Sequence, residues 1–199
     1  MSGLIADGDS GVRIEDLLES REFMSRRRRW IHPERQAFAL DRLEKCFPQG
    51  EASVFQELVQ IAVDSCRADS SGISLEEEDA DGQLRFRWVA VAGSFERYRN
   101  GTTPRFYSPC GVCLDRGAAQ HYQVFDAYYN FLGVTAEPIL DGLLIPWRSV
   151  LSQGTIWLVS HSSSRAFDLN DYQFMLAVAL FVAGKMAGRG GEDRFSRPA

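Results

Sequence analysis

The segment Gly93–Pro138 constrains the fold more than any other part of the chain. It has little simple periodicity, yet it lies between blocks of strand-like alternation. It is crowded with aromatic residues: Phe95, Tyr98, Phe106, Tyr107, Tyr122, Phe125, Tyr128, Tyr129 and Phe131. At its centre, Ser108-Pro109-Cys110-Gly111-Val112-Cys113-Leu114-Asp115-Arg116-Gly117 puts two thiols three positions apart beside a proline and two glycines. A short helix is predicted from about Cys110 and a short strand over Gln120–Val124. Strand, loop and helix around paired thiols point to a small-molecule or redox-sensing pocket, covered by this insertion.

The flanking segments supply the frame. Apolar residues at three-to-four spacing predict a helix over Val12–Trp30, with Ile14, Leu17, Leu18 and Phe23 on its stripe. Pro33 opens a second helix, to about Phe47, with Phe38, Leu40 and Leu43 as its apolar positions. Pro48-Gln49-Gly50 stops it, and a third helix runs over Ala52–Arg67, with Ser53 as N-cap. The period then changes to two. A strand begins at Gly72, Asp79-Ala80-Asp81-Gly82 is a hairpin turn, and Gln83–Ala92 alternates. In that strand Leu84, Phe86, Trp88, Ala90 and Ala92 are assigned one face, and Arg85, Arg87, Val89 and Val91 the other. Further strands are expected over Ile139–Trp147 and Gly154–His161, joined by residues 148–153. A closing helix is expected over Asp168–Met186, capped by Asp168 and stopped by Gly188.

The predicted class is α+β: an antiparallel sheet of five to six strands, N- and C-terminal helices on one face, and a pocket-covering insertion on the other. The expected divisions are a mobile tail (1–11), N-terminal helices (12–50), the main domain (51–188) and a disordered tail (189–199).

Composition narrows the partners. A net charge of −5 argues against a nucleic-acid binder, which would be basic. The run Arg26–Arg29 reads as the solvated face of a helix, with phosphate or lipid contact as the alternative. No signal-peptide pattern is visible, and no apolar run approaches the about 20 residues of a membrane helix. The expectation is a cytoplasmic protein without membrane contact, its Cys46, Cys66, Cys110 and Cys113 reduced.

Five segments together resemble the GAF domain, a sensor module of bacterial signalling proteins. They are Ala68–Leu75, Gly101–Gly111, Leu143–Trp147, Gly154–His161 and Arg165–Asp171. The likeness spans about two-thirds of the chain and is nearest to modules that precede histidine kinases of two-component systems. It implies a non-catalytic sensor that binds a small molecule or reports redox state. It also implies a homodimer built on the Val12–Trp30 and Asp168–Met186 helices, and a separate kinase or regulator as output, since no output segment follows. One GAF branch is enzymatic, the free methionine-(R)-sulfoxide reductases. On that alternative Cys110 or Cys113 would attack, and Asp141 or Glu137 would hold the substrate ammonium. The segment Tyr128–Glu137 lacks the cysteine that branch places there.

The candidate ligand-binding residues are Trp88, Arg105, Cys110, Asp115, His121, Tyr129, Glu137 and Trp157, with Arg116 as a further polar contact. No catalytic residue is assigned; Cys110 and Cys113 would serve if the site were redox-active, although a packing role suits them better. The cofactor is unknown. Neither cysteine precedes a histidine, which argues against a covalent bilin. A heme would need an axial ligand, for which His121 is the candidate, although a lone histidine on a short strand reads more readily as a hydrogen-bonded residue. Cys46, Cys66, His32, His121 and His161 lack paired metal-ligand spacing, so no metal is assigned. Trp88, Trp147 and Trp157 read first as core, and Trp88 and Trp157 also as a pocket wall beside Thr155 and His161.

Overall fold

The computed structural model describes residues 10–148 and 152–195, with side chains up to residue 188. Residues 1–9 and 196–199 of the two expected tails, and 149–151 of the expected strand connection 148–153, lie outside the described residues. Among the described residues seven antiparallel strands form one sheet in the order β1-β5-β6-β7-β2-β3-β4, slightly more than expected. They are β1 (Val12–Asp16), β2 (Ser70–Glu78), β3 (Leu84–Gly93), β4 (Thr102–Pro104), β5 (Gln120–Val124), β6 (Ile139–Arg148) and β7 (Gln153–Ser160). The helices are α1 (Arg21–Ser25), α2 (Pro33–Cys46), α3 (Glu51–Cys66), α4 (Pro109–Arg116), α5 (Asp126–Leu132) and α6 (Leu169–Phe195).

Two apolar clusters divide the molecule at the sheet. On one face Leu43 of α2, Leu58 and Ile61 of α3, and Met175, Val178 and Val182 of α6 pack on Ile73, Leu143, Ile145, Ile156 and Leu158. Trp147 belongs to this face, edge-on to Phe55 at 5.6 Å between ring centroids. Removing these side chains from water is the main force that holds the helices to the sheet. On the other face Phe86, Val91, Leu144, Trp157 and Val159 meet α4, α5 and the segments beside them. End helices behind and insertion in front is the predicted arrangement.

Three elements differ from the sequence reading. First, Val12–Trp30 is a strand followed by a one-turn helix. Val12 and Ile14 alternate with Arg13 and Glu15, and Val12↔Val124 and Ile14↔Tyr122 pairing with β5 selects the two-residue period. Ser20 Oγ then accepts from Phe23 N at 3.2 Å to start α1, while Leu17 and Phe23 enter the helix-side core. The sheet therefore begins in the segment assigned to N-terminal helices, and of the stripe read there Leu17 and Phe23 are core, Ile14 is half-buried and Leu18 is exposed. Second, β3 changes face partway. Ile73 pairs with Ala90 and Ser74 with Trp88, so Val89 is an extra residue, a bulge. Phe86 and Trp88 face the insertion, but beyond the bulge Val91 does so and Ala90 and Ala92 face the helices. Third, α6 continues to Phe195, through Gly188 and into the tail expected to be loose. Its start is as read: Asp168 Oδ1 accepts from Asn170 N at 2.7 Å. In α3 the cap is Gly50 at φ 102°, two residues ahead of the expected start, and Ser53 lies inside the first turn. Phe38 of α2 is exposed rather than core.

Candidate functional site

A hollow of about 520 Å³ lies between the sheet and the insertion. Its back wall is Trp88, Leu144, Trp157 and Val159 from β3, β6 and β7, extended by Phe95 and Tyr98. Trp88 contacts Trp157 at 4.9 Å, Phe95 at 6.3 Å and Tyr98 at 6.5 Å, a mixture of tilted, stacked and edge contacts. Its front wall is α5, with Tyr128, Tyr129, Phe131 and Leu132, continued by Val134 and Ala136. Cys110 and Pro109 of α4 close one end, and Thr102–Pro104 the side.

Two cross-strand glycines make room for the rings of the sheet face. Gly72 pairs with Trp157, and a Cβ on Gly72 would lie 2.2 Å from the indole. Gly142 pairs with Tyr122, and a Cβ there would lie 2.4 Å from the phenol ring. Each ring lies flat over a residue without a side chain. Gly72→Val should drive Trp157 into the hollow and cost about 1–3 kcal/mol, measured by chemical denaturation together with a shift in tryptophan fluorescence.

α4 is built around its cap. Ser108 Oγ accepts from Cys110 N at 3.2 Å, Pro109 occupies the first turn, and Gly117 at φ 62° ends the helix. Cys110 and Cys113 are both free and buried. Burial pushes the Cys110 thiol up, although Thr155, Ser108 and Ser74 hydroxyls temper the shift. Burial also raises Cys113, helped by Cys110, and Cys113 Sγ donates to Ala118 O at 3.4 Å. Both thiols are thus protonated at neutral pH, which disfavours nucleophilic or redox chemistry. Burial raises the phenols of Tyr122, Tyr128 and Tyr129 as well.

No protein-family model and no curated protein matches the chain by sequence. Solved structures do. The GAF domain from a phosphoenolpyruvate-protein phosphotransferase of Coxiella burnetii is 14% identical, with a TM-score of 0.60, over 81% of this chain and 98% of that one. The chain has the GAF-domain fold. A phycocyanobilin-bound GAF domain from a cyanobacterial phytochrome shares 12% identity, with a TM-score of 0.55, over 79% of this chain and 96% of that one. The fRMsr of Staphylococcus aureus, in complex with substrate, shares 15% identity with a TM-score of 0.55, over 80% of this chain and all of that one.

On this GAF framework Trp88, Cys110, Tyr129 and Trp157 come together at the hollow as expected. Five of the candidate residues, Arg116 included, do not. Arg105 and Asp115 pair with one another at 2.6 Å and line a separate depression of about 370 Å³ outside α4, where Arg105 also meets Glu76. Arg116 bonds Asp16 and Gln120 at 3.0 and 2.7 Å. Glu137 is exposed and does not line the hollow. His121 sits on the opposite face, because residues 121 and 122 of a strand must point to opposite sides and Tyr122 takes the hollow. A heme ligated by His121 is therefore not available to this hollow. His161, beside the hollow, contacts Phe95 at 4.8 Å and meets Pro138 O at 2.9 Å through Nδ1. Of the residues missed by sequence, Thr103, Tyr122 and Leu144 lie on strands whose facing only the sheet register sets, and Tyr128 lies on α5, stacked on Tyr107.

Behind the sheet His121 belongs to a buried ion cluster. Asp141 Oδ1 meets His121 Nε2 at 2.7 Å, and its other oxygen accepts from Arg26 Nη1 at 3.0 Å and Phe167 N at 2.6 Å. Arg26 also donates to Glu22 at 2.9 Å and to Phe167 O at 2.8 Å. Arg29 pairs with the buried Asp171, and its N–H donates to Asp168 at 2.7 Å. The arginine run is thus a clamp from the N-terminal segment to β6 and the start of α6; only Arg27 and Arg28 keep the solvated role read from sequence. Asp141, offered as an ammonium holder, is committed to this clamp. Among the described residues the metal-capable cluster is Glu15, Glu22 and His121, and Arg26 already supplies its positive charge.

Proposed function

We propose that this chain is a non-catalytic sensory module whose aromatic hollow binds a small molecule. The observation that carries this reading is the hollow itself: ring-walled, roughly in the about 300–1,000 Å³ range of ligand pockets, and without a nucleophile paired to a base. The raised thiols of Cys110 and Cys113 support ligand binding over redox sensing as the signal.

Transmission would run through β1, which touches both faces. Phe125 N donates to Gly11 O at 2.8 Å and Tyr107 Oη to Ser10 O at 3.1 Å, so β1 is tied to the front wall. Beyond it the Arg26 clamp reaches Asp141 and Phe167 at the start of α6. A ligand that shifts α5 would bias β1 and, through the clamp, α6. A homodimer on α2 and α6, where Phe38 and Leu180 are each 63% exposed, and a separate kinase or regulator complete the proposal. No helix among the described residues is long and apolar enough to cross a membrane.

Native mass spectrometry of the purified chain tests the reading: a retained small molecule, lost from an Ala136→Phe variant that narrows the hollow, is the expected result. The likeness to an fRMsr makes thiol-dependent methionine sulfoxide reduction the second reading. Free methionine sulfoxide incubated with the protein and a thiol reductant should give no methionine above the uncatalysed level. Turnover that disappears in Cys110→Ser or Cys113→Ser would overturn the sensory reading in favour of the enzyme.

A further inference from the structure

From the lining of the hollow we infer that its ligand is an uncharged, flat ring compound carrying one small hydrogen-bonding group. This rests on the hollow being a ligand site and goes on to name what the site selects.

Charge is the first discriminator. Among the described residues no Asp, Glu, Lys, Arg or His lines the hollow. Of the charged side chains near its lining in sequence, Arg105 pairs with Glu76 and Asp115 and Arg99 with Glu96, while Arg97 lies over the Tyr98 ring at 4.9 Å and Glu137 is exposed, and none of them lines the hollow. Among the ionisable groups that line it, burial favours the neutral form of Cys110, Tyr122, Tyr128 and Tyr129. A carboxylate, phosphate or ammonium entering this space would lose water and gain no counter-charge. That disfavours carboxylate-bearing tetrapyrroles, nucleotides and zwitterionic amino acids alike.

Shape is the second. Rings dominate the lining, with the indoles of Trp88 and Trp157 from the sheet and Tyr128, Tyr129 and Phe131 from α5, set at mixed tilted and edge angles that offer both faces and edges to an aromatic guest.

Hydrogen-bonding capacity is the third. Most polar groups around the hollow are satisfied internally. Trp157 Nε1 donates to Ser74 Oγ at 2.9 Å, Tyr128 Oη to Tyr107 O at 3.1 Å and Tyr98 Oη to Thr135 O at 2.8 Å. Thr103 Oγ1 and Tyr129 Oη are different. Both residues line the hollow, Tyr129 is 8% exposed, and neither hydroxyl has a partner among the described residues. Buried hydroxyls without partners are rare because each forfeits its bond to water. A hydroxyl or carbonyl on the ligand would restore one.

Calorimetric titration at neutral pH with 2-naphthol and with its ring-matched anion 2-naphthoate tests the inference. The expected result is one 2-naphthol per chain, bound at least ~10-fold more tightly than 2-naphthoate, with quenching of tryptophan fluorescence and loss of binding in Ala136→Phe. The double variant Thr103→Val/Tyr129→Phe should weaken 2-naphthol about 5-fold and leave 2-methylnaphthalene unchanged. Naphthoate binding as tight as naphthol, abolished by Ala136→Phe, would overturn the inference while leaving the hollow a ligand site. Binding of neither probe, or naphthol binding that survives Ala136→Phe, would overturn it too. In those cases the mass-spectrometric result for a retained ligand decides the ligand-site reading separately.

Discussion

Asp141→Ala should destabilise the protein by about 3–5 kcal/mol in chemical denaturation, because it strips from a buried cluster the anion that Arg26 and His121 share. Asp141 is 4% exposed and joins Arg26 of the N-terminal segment, His121 of β5 and the backbone N–H of Phe167 ahead of α6. Its loss leaves Arg26 and His121 facing one another, with Arg26 Nη2 only 3.2 Å from His121 Nε2. Arg26→Met alone should also be costly. The pair Arg26→Met/Asp141→Leu should cost less than the sum of the single changes, because removing both charges leaves none unpaired. Strict additivity would mean that the clamp does not couple these elements.

The cluster carries a pH signature with two limbs. Burial works against a charged His121, but its bonds to Asp141 and Glu15 outweigh that and raise its pKa above the ordinary 6.5. The corresponding stabilisation is complete below 6.5 and is lost as pH rises through the raised folded value. Burial likewise works against a charged Asp141. Hydrogen bonds from His121, Arg26 and the Phe167 N–H, with the charge of Arg26, win and leave it below the ordinary 3.8. Its contribution is present above 3.8 and is lost as pH falls through the lowered folded value. Stability should therefore be highest between these limbs and decline on the alkaline side. His121→Gln should flatten that decline, as read from denaturation midpoints across the pH series.

Trp157→Ala is the second large effect expected, about 3–5 kcal/mol, since a buried indole is removed and the surrounding rings can only partly close the gap. Trp157 is 3% exposed, contacts Trp88 and Phe95, and satisfies Ser74 through Nε1. The same change enlarges the hollow, so ligand retention in mass spectrometry should fall along with stability. Trp157→Phe keeps a ring over Gly72 but loses the bond to Ser74, and should recover most of the stability. A variant as stable as the parent would show that the ring is peripheral to the packing of this face.

The central part of the fold was legible in the sequence because its signals are local. Asp79 to Gly82 closes the β2–β3 hairpin, with Asp79 Oδ1 accepting from Asp81 N and Gln83 N at 3.0 and 2.9 Å. Pro33 and Asp168 mark helix starts that the structure keeps, and the helix expected from about Cys110 begins at Pro109. The pocket residues Cys110 and Tyr129 were legible because rings and a thiol-bearing helix cluster in one insertion, and Trp88 and Trp157 because they are large rings on alternating strands. Arg105, Asp115, Glu137 and His121 were misplaced for a different reason: each is polar and close in sequence to the hollow, and sequence proximity does not say which way a side chain points.

Local chemistry alone determined that this chain would build a helix-backed antiparallel sheet with an aromatic insertion, since periodicity, caps and turns act over a few residues. Only tertiary structure decided that Val12–Asp16 is an edge strand, that Val89 flips the facing of β3, and that Arg26 reaches Asp141 across 115 positions of sequence. Strand pairing and buried ion contacts join residues far apart in the chain. Their energies are settled by register and burial, which exist only once the sheet has formed.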